Sequence, residues 1–208
     1  MRGRRTRVNS TEPLRSRSMA PEADVEDSVV TIVTVGGGLA AAGSPLLHAD
    51  DLAALRGDGV FETLLVRDGA ACLLDAHLRR LARSAELMDL PAPNLDDWCR
   101  AVDEAVQQWA GTGEGALRMI YSRGRETGSA PTAYVMLTPL PERIAAARRE
   151  GVAVVTLDRG LSAQGLELPW LLAGAKTLSY AVNMAALRYA AKQGADDVIF
   201  ISSDGYVL

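Results

Sequence analysis

The sequence predicts a mixed fold of strands and helices, and three observations carry that expectation. Short apolar, β-branched runs bounded by glycine or polar turns recur at 29–35, 60–66, 116–122, 132–138, 152–157 and 197–202, which is the signature of strands. Between them lie stretches with helical spacing, at 75–88, 94–109, about 141–150 and 177–193. The chain has 208 residues, 48% of them hydrophobic, enough to bury one large core or two small ones.

The first eighteen residues carry Arg2, Arg4, Arg5, Arg7, Arg15 and Arg17 against the single acid Glu12, with no hydrophobic period. Residues 1–27 are therefore expected to be a disordered tail, either an over-long start with Met19 as another initiator or a nucleic-acid arm. The stretch Val8-Asn9-Ser10-Thr11-Glu12-Pro13 lacks the apolar run of a secretory signal. A net charge of −4 argues against nucleic acid as the main partner, because phosphate binding needs concentrated positive charge.

From Ser28 to Ala49 there is no Asp, Glu, Lys or Arg, which raises the question of a membrane span. Gly36-Gly37-Gly38, Gly43 and Ser44-Pro45 interrupt it too often, so a strand and glycine turn are expected and no membrane segment. Gly36-x-Gly38-x-x-Ala41 imitates a dinucleotide fingerprint, but Gly43-Ser44-Pro45 cuts off the helix that the fingerprint requires.

Residues 56–69 read as a glycine turn, a strand and the hairpin turn Asp68-Gly69. Asp75 is expected to cap a helix reaching Met88, with Leu78, Leu81, Ala85 and Met88 as its buried stripe and His77, Arg80 and Ser84 on the neighbouring face. Arg80 on that edge could grip a phosphate, or Arg79, Arg80 and Arg83 could be a solvated face. A second helix is expected from Asn94, ended by Gly111 to Gly115, and two strands follow, joined by 123–128. Arg118 and Arg123, five apart, point to opposite faces unless the turn intervenes. Residues 158–175 read as an interdomain connection, and Asp204-Gly205 as a turn.

Cys72 and Cys99 lack metal-like spacing, and two histidines cannot complete a zinc pattern, so no metal is expected and both thiols read as reduced packing residues of a cytoplasmic protein. The outstanding residue is Lys176, which has no charged neighbour between Glu167 and Arg188. A helix starting just after it, capped by Thr177 or Ser179 and stopped by Gly194, would place the ammonium at a positive helix end among apolar side chains. Both effects favour the neutral amine, a nucleophile suited to a Schiff base. The alternative is a lysine that snorkels to water from a mostly buried segment.

Gly57-Asp58-Gly59-Val60-Phe61-Glu62-Thr63, then His77-Leu78-Arg79-Arg80-Leu81, then Lys176-Thr177-Leu178-Ser179-Tyr180 with Asn183, resemble class IV, or fold type IV, pyridoxal-phosphate enzymes across about residues 29–208. This family includes branched-chain and D-amino-acid aminotransferases and aminodeoxychorismate lyase. The resemblance implies an α/β, two-domain homodimer that binds pyridoxal 5'-phosphate, with Lys176 as its Schiff-base lysine, Arg80 on the cofactor phosphate and Tyr180 at the cofactor. Glu62, Arg123 and Arg125 are its candidates for the substrate, a small amino-acid-like molecule.

The implied domains are a small N-terminal one at 28–140, a helix, strand and connection at 141–175, and a larger cofactor-binding domain that starts at 176. In the family the chain continues past Gly205-Tyr206-Val207-Leu208 with a glutamate for the pyridine nitrogen, so the second domain is expected to be cut short at Leu208. Gly128 stands where some members carry a carboxylate-binding arginine. The leading functional reading is a 4-amino-4-deoxychorismate lyase that releases pyruvate and p-aminobenzoate. The alternatives are an aminotransferase for branched-chain or D-amino acids and a catalytically incomplete chain.

Overall fold

The computed structural model describes residues 30–41, 43–111, 113–128 and 130–208. The expected basic tail, 1–27, and the first residue of the expected strand at 29–35 lie outside them. The chain divides into two compact units, one built from the described residues up to Pro141 together with Gly174–Ser179, the other from Glu142–Ala173 and Tyr180–Leu208.

The first unit is an antiparallel sheet of six strands with two helices. Three hairpins build it: β1 (Thr31–Thr34) with β2 (Gly38–Ala40), β3 (Gly59–Arg67) with β4 (Ala70–Ala71), and β5 (Gly115–Ser122) with β6 (Thr132–Pro139). The order across the sheet is β2-β1-β6-β5-β3-β4. The β3–β4 turn is the expected Asp68-Gly69, with φ of 51° and 71°, the left-handed pair that a tight hairpin demands.

Along β3 the alternation puts Val60, Glu62, Leu64 and Val66 on the buried face and Thr63 and Arg67 towards water. That face joins a core to which helices α2 (Leu74–Leu87) and α3 (Leu95–Gln108) contribute Leu78, Leu81, Trp98 and Val102. A short helix, Leu52–Arg56, called α1 here, precedes β3 and is capped by Asp51, whose Oδ1 accepts from the Ala53 amide at 2.8 Å. Asn94 caps α3 as expected, accepting from the Asp96 amide at 3.1 Å. Asp75 does not cap α2. The helix starts one residue earlier, behind Leu73 in a left-handed conformation, and leaves Asp75 in the first turn, where its charge faces the helix dipole.

The second unit holds α4 (Glu142–Glu150), β7 (Val154–Asp158), two short 3-10 helices (Ala163–Glu167 and Pro169–Leu171), α5 (Ala181–Lys192) and β8 (Asp197–Ile201). Strands β7 and β8 pair in parallel, from Val154 with Asp197 to Asp158 with Ile201, which requires the crossover that α5 supplies. Ala186 and Ala190 are the buried positions of α5. Among the described residues no helix is long and apolar enough to cross a membrane.

Two expectations around residue 176 change. Gly174–Ser179 belongs to the first unit, where the expectation opened the second domain at 176. The segment runs antiparallel beside β3: Phe61 donates its amide to the Lys176 carbonyl at 3.0 Å, and Leu178 donates to the Gly59 carbonyl at 2.8 Å. Helix α5 begins only at Ala181, with no side-chain cap at Tyr180. Thr177 is paired with Val60 of β3, and the Ser179 hydroxyl donates to the Gly57 carbonyl at 3.1 Å, so both expected caps are engaged elsewhere.

Candidate active site

Helix α2 delivers one face to the site. His77, Arg80 and Ser84 follow at intervals of three and four residues, the spacing that stacks side chains on one helical side. Opposite them, β3 presents Glu62 on its core face, fully buried. A carboxylate without water must find donors within the protein. Arg80 supplies two, Nε to Oε1 and Nη2 to Oε2, both at 2.5 Å, and His77 Nδ1 donates to Oε2 at 2.9 Å. Burial by itself raises the Glu62 carboxyl, but the bonds from Arg80 and His77 outweigh it and hold the group below its ordinary value.

Lys176 enters from the segment paired with β3. Its amide donates to the buried Ser84 hydroxyl at 3.1 Å, which ties the lysine backbone to the same face of α2. Its Nζ sits 3.8 Å from the centroid of the Phe61 ring. Burial lowers the ammonium's pKa from the ordinary lysine value, Arg80 lowers it further, and Glu62 opposes both. Of the two causes expected, the loss of hydration is the one that leads; the helix end does not start beside Lys176, which lies in an extended pairing, with α5 beginning only at Ala181.

Sequence reasoning thus assembled Lys176, Arg80 and Glu62, and the structure brings them together. Glu62, expected at the substrate, is instead engaged by Arg80 and His77 beneath the surface. Arg123 and Arg125 lie elsewhere in the same unit, on a cleft of about 710 Å³ whose wall also includes Leu52, Pro91 and Gly128 but none of Lys176, Glu62 or Arg80. Arg123 donates from Nε to Asp58 at 2.7 Å and from Nη2 to the Met88 carbonyl at 2.7 Å. Arg125 donates from Nε to Asp50 at 2.8 Å, and that bond, with one from Thr127, brings Asp50 down to about 2. Tyr180 belongs to the second unit, as the residue before α5.

Phe61 and Ser84 were not singled out as site residues. Their signals were present, Phe61 adjoining Glu62 on a strand and Ser84 one turn beyond Arg80. Asp51 was missed altogether. Fully buried, it accepts from Ser122 Oγ at 2.9 Å and from Thr132 Oγ1 at 2.6 Å, as well as from the Ala53 amide, and so fastens the start of β3's approach to β5 and β6.

A lysine amine lowered by burial, on the segment paired with β3, and an arginine fork on α2 thus lie in the same unit. The family model for class IV amino-transferases matches residues 59–208, and the chain belongs to that family. It is 67% identical over 180 residues to a bifunctional aminodeoxychorismate lyase / D-amino acid transaminase of Mycobacterium tuberculosis, covering 85% of this chain and 62% of that protein.

Among solved structures it resembles the PLP-bound form of a hypothetical aminotransferase from Mycobacterium tuberculosis, with a TM-score of 0.84 and 66% identity over 86% of this chain and 64% of that one. A fold IV-transaminase from Curtobacterium pusillum matches with a TM-score of 0.82 and 44% identity, covering 86% of this chain and 65% of that one. The chain therefore has the α/β fold of these enzymes and spans less than two thirds of the length of each of these three relatives.

Proposed function

We propose that this chain works in a pyridoxal-phosphate enzyme that cleaves 4-amino-4-deoxychorismate to p-aminobenzoate and pyruvate. The observation that carries the proposal is the Lys176 amine, depressed by burial and placed within the field of the Arg80–Glu62 pair. The donor set fits the cofactor. An amine that loses its proton easily suits an aldehyde, and an arginine with donors left over suits a phosphate.

When bound, pyridoxal phosphate supplies the aldehyde and a ring that delocalises the electron pair left at the substrate α-carbon. Arg80 would hold the phosphate. Lys176 would fasten the cofactor and would carry the proton to and from the substrate carbon. The Phe61 ring beside Nζ and the Ser84 bond to the lysine amide restrict where that amine can travel. Tyr180 contributes at the cofactor, as its place in the Lys-Thr-Leu-Ser-Tyr motif implies.

The protein acts on this reading as a homodimer in the cytoplasm, which the family's usual assembly and two free cysteines support. Transamination of D- or branched-chain amino acids is the second reading, favoured by the name of the 67% identical relative. A transaminase must bind a substrate carboxylate twice in each cycle. Gly128 offers no cation, and Arg123 and Arg125 are held by Asp58 and Asp50, which supports the lyase.

Borohydride trapping of pyridoxal phosphate on the protein, followed by peptide mapping, is expected to label Lys176. Label on Lys192, the other of the two lysines, overturns the proposed role. Supplied with aminodeoxychorismate and no oxo acid, the protein is expected to release both products. Rapid amino-group uptake from D-alanine with aminodeoxychorismate unchanged replaces the lyase reading by the transaminase one.

A further inference from the structure

Arg80 is the exposed member of its pair and Glu62 the buried one. The arginine side chain retains 44% of its accessible surface, and the carboxylate has none. A guanidinium has five N–H donors, and Glu62 takes two of them, from Nε and Nη2, in the two-point geometry that leaves the fork no rotation about its own axis. Three donors remain for a ligand. His77 donates to Glu62 Oε2, the oxygen that also receives Nη2, so the carboxylate is itself fixed from the same helix face.

A long arginine side chain on a surface samples many rotamers, and ordering it counts against any ligand it must grip. Here that ordering is complete within the protein alone.

We propose that Glu62, backed by His77, is the positioning residue that presets the Arg80 guanidinium for the phosphate of the cofactor. Glu62 then touches neither substrate nor cofactor; it acts through Arg80. The inference rests on the reading of Arg80 as a phosphate ligand, and its test separates the two.

The probes are pyridoxal 5'-phosphate and pyridoxal, which differ only in the phosphate, with binding read by quenching of protein fluorescence. Glu62→Gln keeps the shape and removes the charge, and is expected to weaken pyridoxal phosphate roughly tenfold while leaving pyridoxal unchanged. In an Arg80→Ala background the same substitution is expected to add nothing, since the arginine through which it acts is gone. Should Glu62→Gln fail to fold, His77 serves instead. His77→Leu is expected to weaken pyridoxal phosphate a few-fold, and His77→Asn, which keeps a donor near Nδ1, to restore it.

Unchanged or tighter binding of pyridoxal phosphate to Glu62→Gln overturns the inference, as does equal loss for both probes or an additive loss in the double variant. If the unaltered protein prefers pyridoxal phosphate no more than pyridoxal, or Arg80→Ala leaves that preference intact, the reading of Arg80 fails first and takes this inference with it.

Discussion

The two units close their apolar surfaces to different degrees. In the first, two helices cover one face of six strands, and Trp98, Leu81, Leu117, Met119 and Val135 are at most 1% exposed. In the second, two parallel strands and α5 bury Ala186 and Ala190, while Val154, Val182, Met184 and Tyr189 keep between 45% and 51% of their surface. A two-stranded sheet gains too little burial to be rigid by its own resources. The lysine segment is grouped with the closed unit, where its backbone hydrogen bonds to β3 and to Ser84 can hold Lys176 within the field of Glu62 and Arg80. The lesson is that the backbone of this lysine is fixed by the better-packed unit, even when the residues on both sides of the segment in sequence belong to the other one.

The contrast can be broken most severely at Trp98, which packs edge-to-face on Tyr121 at 6.0 Å between ring centroids. Trp98→Ala is expected to cost about 3 to 5 kcal/mol in denaturant unfolding, because a large buried ring leaves a cavity that the sheet cannot close. Next comes Asp51→Ala, which orphans Ser122, Thr132 and the α1 amide together; an expected loss of about 2 to 3 kcal/mol follows from unmet buried donors and a missing cap. Asp51→Asn, which still accepts through one oxygen, is expected to lose less in the same measurement.

Acid titration sharpens the comparison further. The folded Glu62 carboxyl lies below its ordinary 4.5, so the unfolded chain binds the extra proton. The stability it contributes is therefore present above pH 4.5 and is lost as pH falls through the lower folded value. Unfolding followed from pH 6 downwards should show the gap between the unaltered protein and Glu62→Gln closing below pH 4.5; a gap constant across that range contradicts the buried pairing. The smallest effect is expected in the second unit, where Tyr189→Ala removes a side chain from a residue half exposed on α5 and should change stability by no more than about 0.5 kcal/mol. A loss of the size expected for Trp98→Ala would mean that this face is covered in solution, and the contrast between the units would disappear.

Local chemistry was legible from the residues alone. The Asp68-Gly69 turn, the Asn94 cap, the Leu78, Leu81 and Ala85 stripe and the isolation of Lys176 all follow from rules that operate within a few residues. The motifs around Glu62, Arg80 and Lys176 also identified the residues that meet.

How they meet was decided by tertiary structure. Glu62 finds Arg80 across 18 positions, and Lys176 finds Ser84 across 92. The start of α5 and the first turn of α2 differ from expectation for one reason. A cap or a dipole is a local preference of order 1 kcal/mol, and pairing a strand edge or burying a charge is a comparable or larger effect that depends on which distant segment arrives. The identities of the residues that meet were thus written in the sequence, and their burial, partners and pKa shifts came only with the sheet that Gly174–Ser179 joins.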